Sequence, residues 1–317
     1  MQCSWGEFTP SLEDVCNIMR IPIVGDGNPF KIELDREQKK KLQVLEKGAY
    51  DSKEVFLFCN WQRVFPLAIM LAAGTCFPLA PLFLSHLYRK LDQISKDDKE
   101  GAGQYGIDSL VSSFFLQLFV WERFKGLAVE PVTPKSLHQL EGGKRDFNLV
   151  GFPLCCRWFR RKVKKGAFRP AILDDIGQFN FRPYFTAHGF QTFPFFYPEG
   201  NSSLFLGSVE LLLATNAQTI IAYGDFFDLA IEIYSPHRVK RQFGIDQDVP
   251  SHLSYDGHLR NCIMDFTRTY GISCSGILFD SLRKKDSVSS PTLTFLRFWE
   301  LQRCEFRRFI KTGGTRL

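Results

Sequence analysis

The clearest regularity in the chain is the recurrence of apolar residues at helical spacing between breaks rich in proline and glycine. Near the start, Leu12, Cys16 and Met19 fall on one face of a helix. Thr9 is placed to cap this helix, with Pro10 as its first helical residue. The pattern therefore predicts an amphipathic helix that begins at residue 10.

Four further segments show helical patterns of different strength. Residues 35–46 are polar with two leucines, which indicates a short surface helix, and residues 81–94 carry an apolar stripe. Residues 290–311 predict a closing helix, and residues 107–125 give the strongest helical pattern of all. The side chains that should line one face of this last helix are Ile107, Leu110, Val111, Phe114, Leu118 and Trp121. The polar residues 95–106 between these helices predict an internal flexible linker.

Residues 64–85 carry no charge and are long enough to span a bilayer. Pro66, Pro78 and Pro81 interrupt the stretch, and each interior proline removes a backbone donor that hydrocarbon could not replace. The segment therefore predicts two short buried helices, and we expect no membrane partner.

The second half of the chain has weaker patterns. Residues 130–189 contain five prolines, which favours short strands or irregular structure. Residues 209–223 and 228–234 combine β-branched and apolar residues typical of strands, although the first segment is equally compatible with a helix. Taken together, the patterns predict one compact domain over residues 1–317, mainly α with a few short β-strands (α+β).

Composition agrees with a folded intracellular protein. Of 317 residues, 44% are hydrophobic and 32 are Phe, far from the composition of disordered chains. The net charge of +6 permits nucleic acid or acidic partners without requiring them. The nine cysteines lie scattered without a C-x-x-C pair, which indicates a reducing compartment and neither a zinc site nor a disulfide framework.

The familiar catalytic motifs are absent or out of context. The string GAGQYG at residues 101–106 matches a dinucleotide-binding fingerprint, but an acidic polar run precedes it where a hydrophobic strand is needed. The sequence has no Walker A motif, no G-x-S-x-G elbow and no metal-binding histidine spacing. We therefore expect no enzyme activity, no metal and no cofactor, although a site assembled from distant residues would escape such motifs.

The run RWFRRKVKK at residues 157–165 is the best electrostatic candidate, because six of its nine residues are basic. It is compatible with three interpretations: binding to DNA or RNA, a nuclear-import signal, or a solvated face whose aromatic residues turn into the core. The residues of this candidate patch are Arg157, Trp158, Arg160, Arg161, Lys162, Lys164 and Lys165.

The stretch YSPHRVKRQFGIDQDVP, residues 234–250, has its own local logic. Ser235 and Pro236 predict the start of a two-turn helix, and Gly244 predicts its left-handed C′ residue. Val239 and Phe243, four residues apart, should form its buried stripe. The cations and Gln242 would then occupy the remaining faces.

The same stretch resembles the hallmark segment of the plant mobile domain, a family also labelled aminotransferase-like. Further segments agree in order: GEFTPSLEDVCNIMRIPIVGD, LAPLFLSHLYRKLD, LQLFVWERF and FNFRPY. We call residues 234–250 the hallmark segment. Its candidate structural or partner-facing residues are Pro236, His237, Arg238, Val239, Arg241, Gln242, Phe243, Gly244, Asp246, Gln247 and Pro250.

The resemblance implies a non-catalytic nuclear interaction module. Similar proteins are associated with transposon silencing, genome maintenance and meristem maintenance, act with PP7-type serine/threonine phosphatases, and have relatives encoded by transposons. The family usually carries further helices before the LEDV element, so we expect this chain to lack them. No lysine stands in a context typical of pyridoxal phosphate, so the aminotransferase-like label predicts no cofactor here. The alternative function is a transposon-derived nucleic-acid-binding domain that uses residues 157–165.

Overall fold

The structure is a computed structural model, and the residues it describes are 2–23, 25, 27, 29, 32–51, 64–101, 111–133, 153–163, 170–186, 219–223, 230–243, 246–250 and 290–311. Helices supply most of the regular structure in these ranges, which confirms the predicted mainly α class. The assignment of the whole chain to one domain stays a prediction.

The first helix, α1 (Leu12–Met19), lies at the centre of the core, with seven consecutive buried residues from Leu12 to Ile18. Its cap is Ser11, whose side chain accepts a hydrogen bond from the Asp14 N–H in a reciprocal capping box. The prediction that Thr9 caps the helix was therefore wrong by two residues. The physical reason is that the backbone of Thr9 and Pro10 bonds to distant side chains instead.

The next three helices among the described residues are α2 (Arg36–Asp51), α3 (Phe65–Ala72) and α4 (Leu79–Gly101). The predicted pair of buried helices is correct for the start of α4, whose Ala80, Leu84 and Leu87 are buried. It is wrong for α3, where only Ile69 is buried, because α3 packs against the surface helix α2. Within the described ranges, none of the helices combines the length and apolarity needed to cross a bilayer.

The predicted linker over residues 95–106 is wrong for its first part, because α4 continues as a regular helix to Gly101. Lysine and glutamate are good helix formers, so a polar run beyond the apolar stripe can continue a helix that the core has already fixed. Residues 102–106, which complete the GAGQYG string, lie outside the described residues.

Helix α5 (Ser113–Arg123) confirms the strongest helical prediction but shifts its buried face. Ser112 caps the helix by accepting a hydrogen bond from the Phe115 N–H, and Phe115, Leu118 and Phe119 are buried. Phe114, expected on the buried face, is 55% exposed. Ile107 and Leu110 lie outside the described residues.

Residues 153–186 consist largely of short 3₁₀ helices in the parts that the structure describes, in agreement with the expected irregular structure. Their bounds are Leu154–Trp158, Pro170–Ile172, Ile176–Gln178 and Pro183–Thr186. Phe179 and Tyr184 from this region enter the core beside Phe8 and Phe124.

In the part of the chain that the structure describes, strands form two small antiparallel pairs. β1 (Gln2–Cys3) pairs with β2 (Gly6–Glu7), and β3 (Thr219–Tyr223) pairs with β4 (Ala230–Tyr234) with Ile221 opposite Glu232. The second predicted strand is thus confirmed, and the first is confirmed over residues 219–223, where its helical alternative is wrong. Residues 209–218 lie outside the described residues. β3 and β4 pack against α4 and lead directly into the hallmark segment.

The closing helix, α6 (Leu293–Lys311), is confirmed. It packs on the β1–β2 hairpin through Phe295 and Trp299. The Trp299 indole N–H donates to the Cys3 carbonyl at 3.2 Å, and the Phe295 ring lies over the backbone of Gly6. Several other large apolar side chains of α6 are exposed: Leu293, Leu296, Leu301 and Phe306.

Candidate functional site

The hallmark segment folds differently from the predicted α-helix. Residues Pro236–Phe243 form 3₁₀ turns with a kink at Val239, whose φ of −129° and ψ of 35° are not helical. Val239 and Phe243 are both buried, so the predicted apolar stripe is confirmed. Gly244 lies outside the described residues, and its left-handed C′ role stays a prediction, as does any role of the His237 side chain.

The first half of the hallmark segment bonds to residues 7–9, at and just after the end of β2. The Gln242 amide pairs with Thr9 in both directions: its oxygen accepts from the Thr9 N–H and its nitrogen donates to the Thr9 carbonyl, each at 3.0 Å. Gln242 is therefore buried, and its predicted place outside the buried stripe was wrong. Arg238 donates two hydrogen bonds to the Glu7 carboxylate at 2.7 and 2.9 Å, and this pairing raises the pKa of Arg238.

The second half of the hallmark segment holds the start of α6. The Asp246 carboxylate accepts from the Ser290 N–H at 2.9 Å, while the Gln247 backbone bonds to both Ser290 and Thr292. Pro250 is buried and Pro236 likewise. The segment thus ties residues 7–9 and residues 290–292 to one another across the length of the sequence, and its side chains are largely committed to this task.

Arg241 of the hallmark segment lies over the ring of Phe181. Its guanidinium lies 4.3 Å from the centroid of the Phe181 ring, a cation–π geometry. Burial lowers the pKa of Arg241. The side chain is half-buried, so this contact fixes the hallmark segment against residues 179–184.

A buried charged cluster lies next to the hallmark segment. One carboxylate oxygen of Asp14 accepts from Arg123 Nε at 2.9 Å and Nη2 at 2.7 Å, and it also accepts from the Tyr184 hydroxyl. The other oxygen accepts from the Ser11 N–H and hydroxyl at 2.8 and 2.6 Å. The side chains of Asp14 and Arg123 have no solvent exposure.

The electrostatics of the cluster follow from burial and pairing. Burial opposes the charge on Arg123, but the neighbouring Asp14, Tyr184 and Glu13 outweigh it, so the pKa of Arg123 is raised. Burial and the Asp14 charge raise the pKa of Tyr184 well above its ordinary value. Arg123 also donates to the Phe181 carbonyl at 2.6 Å. The cluster therefore exists as a satisfied ion pair that joins α1, α5 and residues 180–184.

The basic run divides between core and surface. Trp158 is buried against Trp121 and donates to Glu122 at 2.6 Å, so it does not offer a face for stacking on bases. Arg157 forms an ion pair with the same carboxylate at 3.3 Å. Burial raises the pKa of Glu122 to about 7, although Arg157 and Trp158 oppose this shift.

The rest of the run is more open. Phe159 is 40% exposed, and Arg160, Arg161 and Lys162 are exposed, with the Arg160 guanidinium over the Phe159 ring at 5.1 Å. Arg161 also approaches the Pro131 carbonyl at 3.5 Å. Lys164 and Lys165 lie outside the described residues. The structure thus keeps three of the seven candidate residues together on the surface.

The cluster of Asp14, Arg123 and Tyr184 was missed by the sequence reasoning. The available signal was the pairing of charges on otherwise apolar helix faces, in LEDV and WERF. These strings, FNFRPY and the hallmark segment are the segments that carry the family resemblance, and the structure brings them into one buried framework. Among the described residues no group of three or more His, Cys, Asp or Glu side chains is arranged to hold a metal ion.

Comparison with known proteins supports the family resemblance that these segments carry. Residues 56–300 match the family model described as plant mobile domain, which covers well over half of the chain. No curated protein and no solved structure gives a significant match. The matched range includes WERF, FNFRPY and the hallmark segment, so the chain belongs to the plant mobile domain family.

Proposed function

We propose that this protein is a non-catalytic nuclear interaction module that acts with a PP7-type serine/threonine phosphatase. In this role it serves transposable-element silencing, genome maintenance and meristem maintenance. The observation that carries the proposal is membership of the plant mobile domain family over residues 56–300.

The division of labour among the described side chains supports a binding role. Hallmark residues such as Arg238, Gln242 and Asp246 are engaged in holding distant parts of the chain together. Large apolar side chains on α6 are exposed instead, and exposed apolar surface is typical of protein-binding sites. The framework thus presents a rigid support for a surface that a protein partner can cover.

A second candidate function is nucleic-acid binding by the open part of the basic run. Arg160, Arg161 and Lys162 are exposed beside the half-exposed Phe159 ring, which combines phosphate-neutralising charge with one stacking surface. Trp158 is buried and Arg157 is paired with Glu122, which restricts this candidate to the residues from 159 onward. The same three cations are also available to an import receptor.

The test of both candidates is affinity purification of the tagged chain from plant nuclei, with and without nuclease. A phosphatase of the PP7 type that stays bound after nuclease supports the interaction module. Recovery of partners only without nuclease favours the second candidate. Absence of any phosphatase under both conditions would contradict the first.

The basic run is tested separately with the Arg160→Glu/Arg161→Glu variant. If the run binds nucleic acid, this variant loses affinity for DNA or RNA, and the remaining affinity depends less steeply on salt. The matched control is Lys40→Glu/Lys41→Glu on α2, which makes the same change in charge on another exposed helix. Equal loss in both variants would mean that net charge alone is responsible. A fluorescent fusion of each variant reports whether nuclear import depends on the run.

A further inference from the structure

Helix α6 is packed against the rest of the protein only along its first half. Phe295 and Trp299 are buried on the β1–β2 hairpin. From residue 304 to residue 308 every side chain is exposed, and Lys311 is exposed as well. We call residues 301–311 the distal half of α6.

The apolar face of α6 continues into its distal half. Phe306 follows Phe295 by eleven residues and Trp299 by seven, so all three project from nearly the same side of the helix. The two earlier side chains are buried, whereas Phe306 is 58% exposed. The stripe that packs on the hairpin thus runs on past the hairpin.

The charges of the distal half identify what kind of surface could cover it. It carries four cations against the single Glu305: Arg303, Arg307, Arg308 and Lys311. Arg303 is already paired with Glu300 at 2.9 Å. Arg307 and Lys311 lie on one exposed side, four residues apart. A ligand for this surface needs an apolar side chain for Phe306, together with carboxylates for Arg307 and Lys311.

We infer that the distal half of α6 docks an acidic amphipathic helix of a partner protein. This inference rests on the proposed interaction function and adds to it the surface and the chemistry of the partner. A second copy of the chain would bring the same cations face to face, which disfavours self-association. Helix pairing instead buries both apolar stripes and sets opposite charges along their edges.

The probe is a pair of fluorescein-labelled synthetic helical peptides of about 18 residues with the same leucine positions. One peptide carries glutamates and the other lysines at the flanking positions. Fluorescence anisotropy with the full chain should show binding of the glutamate peptide and weaker binding of the lysine peptide. Phe306→Asp should weaken binding of the glutamate peptide by about tenfold or more. Arg307→Glu/Lys311→Glu should reverse the preference between the two peptides.

Matched controls lie on α2. Val44 is 71% exposed, and Lys40 and Lys41 are exposed, so Val44→Asp and Lys40→Glu/Lys41→Glu repeat the changes on another helix and should leave binding unchanged. Equal effects of the α2 and α6 variants, or equal binding of both peptides, would overturn the inference. So would a lower melting temperature of the Phe306→Asp chain, because it would mean that the protein's own residues cover the face. Sedimentation that shows a dimer dissociated by Phe306→Asp would assign the face to a second copy.

The inference and the proposed function can fail separately. If the Phe306→Asp chain recovers the nuclear phosphatase as well as the wild type does, the interaction function stands and the α6 surface is not its site. If peptides bind α6 as expected but nuclei yield no phosphatase, the surface stands and the proposed partner is wrong.

Discussion

The Asp14→Asn substitution is the sharpest test of the buried charged cluster. It keeps the size and shape of the side chain but removes the only charge that directly bonds to Arg123 in the described contacts. Both side chains have no solvent exposure, so the guanidinium cannot turn to water. The amide nitrogen of asparagine would also face the Ser11 N–H, which would lose its acceptor.

The expected cost follows from these two losses. Removing one partner of a buried ion pair costs about 3–5 kcal/mol. A buried N–H without an acceptor adds about 1–3 kcal/mol. Glu13, whose carboxylate lies 3.9 Å from Arg123, offsets part of the first loss. We therefore expect Asp14→Asn to lower the free energy of unfolding by about 4 kcal/mol, a large part of the roughly 5–15 kcal/mol typical of a domain.

The assay is urea unfolding followed by tryptophan fluorescence at neutral pH, with the matched control Asp35→Asn. Asp35 is an exposed residue that caps α2 by accepting from the Gln38 N–H at 2.8 Å. Because asparagine caps helices as well as aspartate does, the control should change stability by less than about 0.5 kcal/mol. A similarly small change for Asp14→Asn would refute the assignment of a buried, mutually dependent pair.

If Asp14→Asn does not fold, the double variant Asp14→Asn/Arg123→Met decides the matter. Methionine removes the buried cation and fills much of its volume, so no uncompensated charge is left. The double variant should therefore be more stable than Asp14→Asn alone. A double variant that is less stable than either single variant would show that the two side chains contribute independently.

Three further predictions concern other parts of the framework. Burial raises the pKa of Glu122 from 4.5 to about 7. The free energy of unfolding of the wild type should therefore fall by about 3 kcal/mol, relative to that of Glu122→Gln, as pH rises through that range. Unfolding measured at several pH values tests this. Gln242→Leu should cost about 2 kcal/mol by leaving two backbone groups without partners, whereas Gln43→Leu on the surface of α2 should not. Gly6 has a φ of +148°, so Gly6→Ala should lower the free energy of unfolding by about 1 kcal/mol, whereas Gly48→Ala in α2 should raise it by a similar amount. If thermal unfolding shows stability changes of the same sign for both variants, the assigned backbone conformation of Gly6 is contradicted.

Apolar periodicity predicted the long helices well because it reflects which face of each helix is buried. It predicted less well which side chains form the buried face of a helix that began at an unexpected residue. Helix α5 begins at Ser113, six residues after the expected start, and Phe115 rather than Phe114 enters the core. At α1 the shift had another cause, because long-range bonds to Thr9 and Pro10 keep those residues out of the helix.

The buried cluster could not be predicted from local patterns. Arg123 and Tyr184 reach Asp14 across 109 and 170 residues of sequence, so neither contact leaves a signal at short spacing. Gln242 and Thr9 are 233 residues apart. For the basic run, the sequence shows six cations but does not reveal that the side chains of Arg157 and Trp158 bond to Glu122. Burial of charged or polar groups is decided by their partners, and the partners are distant.

The segments that mark the family are, in this chain, mainly the segments that build its framework. The motif strings supply Asp14, Arg123 and Tyr184 to the cluster and Gln242 to the hold on Thr9. Side chains that are satisfied inside the fold cannot also grip a partner without breaking those bonds. What distinguishes the binding of one family member from another should therefore lie on surfaces outside the motifs, such as the distal half of α6. On this reasoning, substitutions in the hallmark segment will affect stability first, and substitutions at Phe306 will affect binding first.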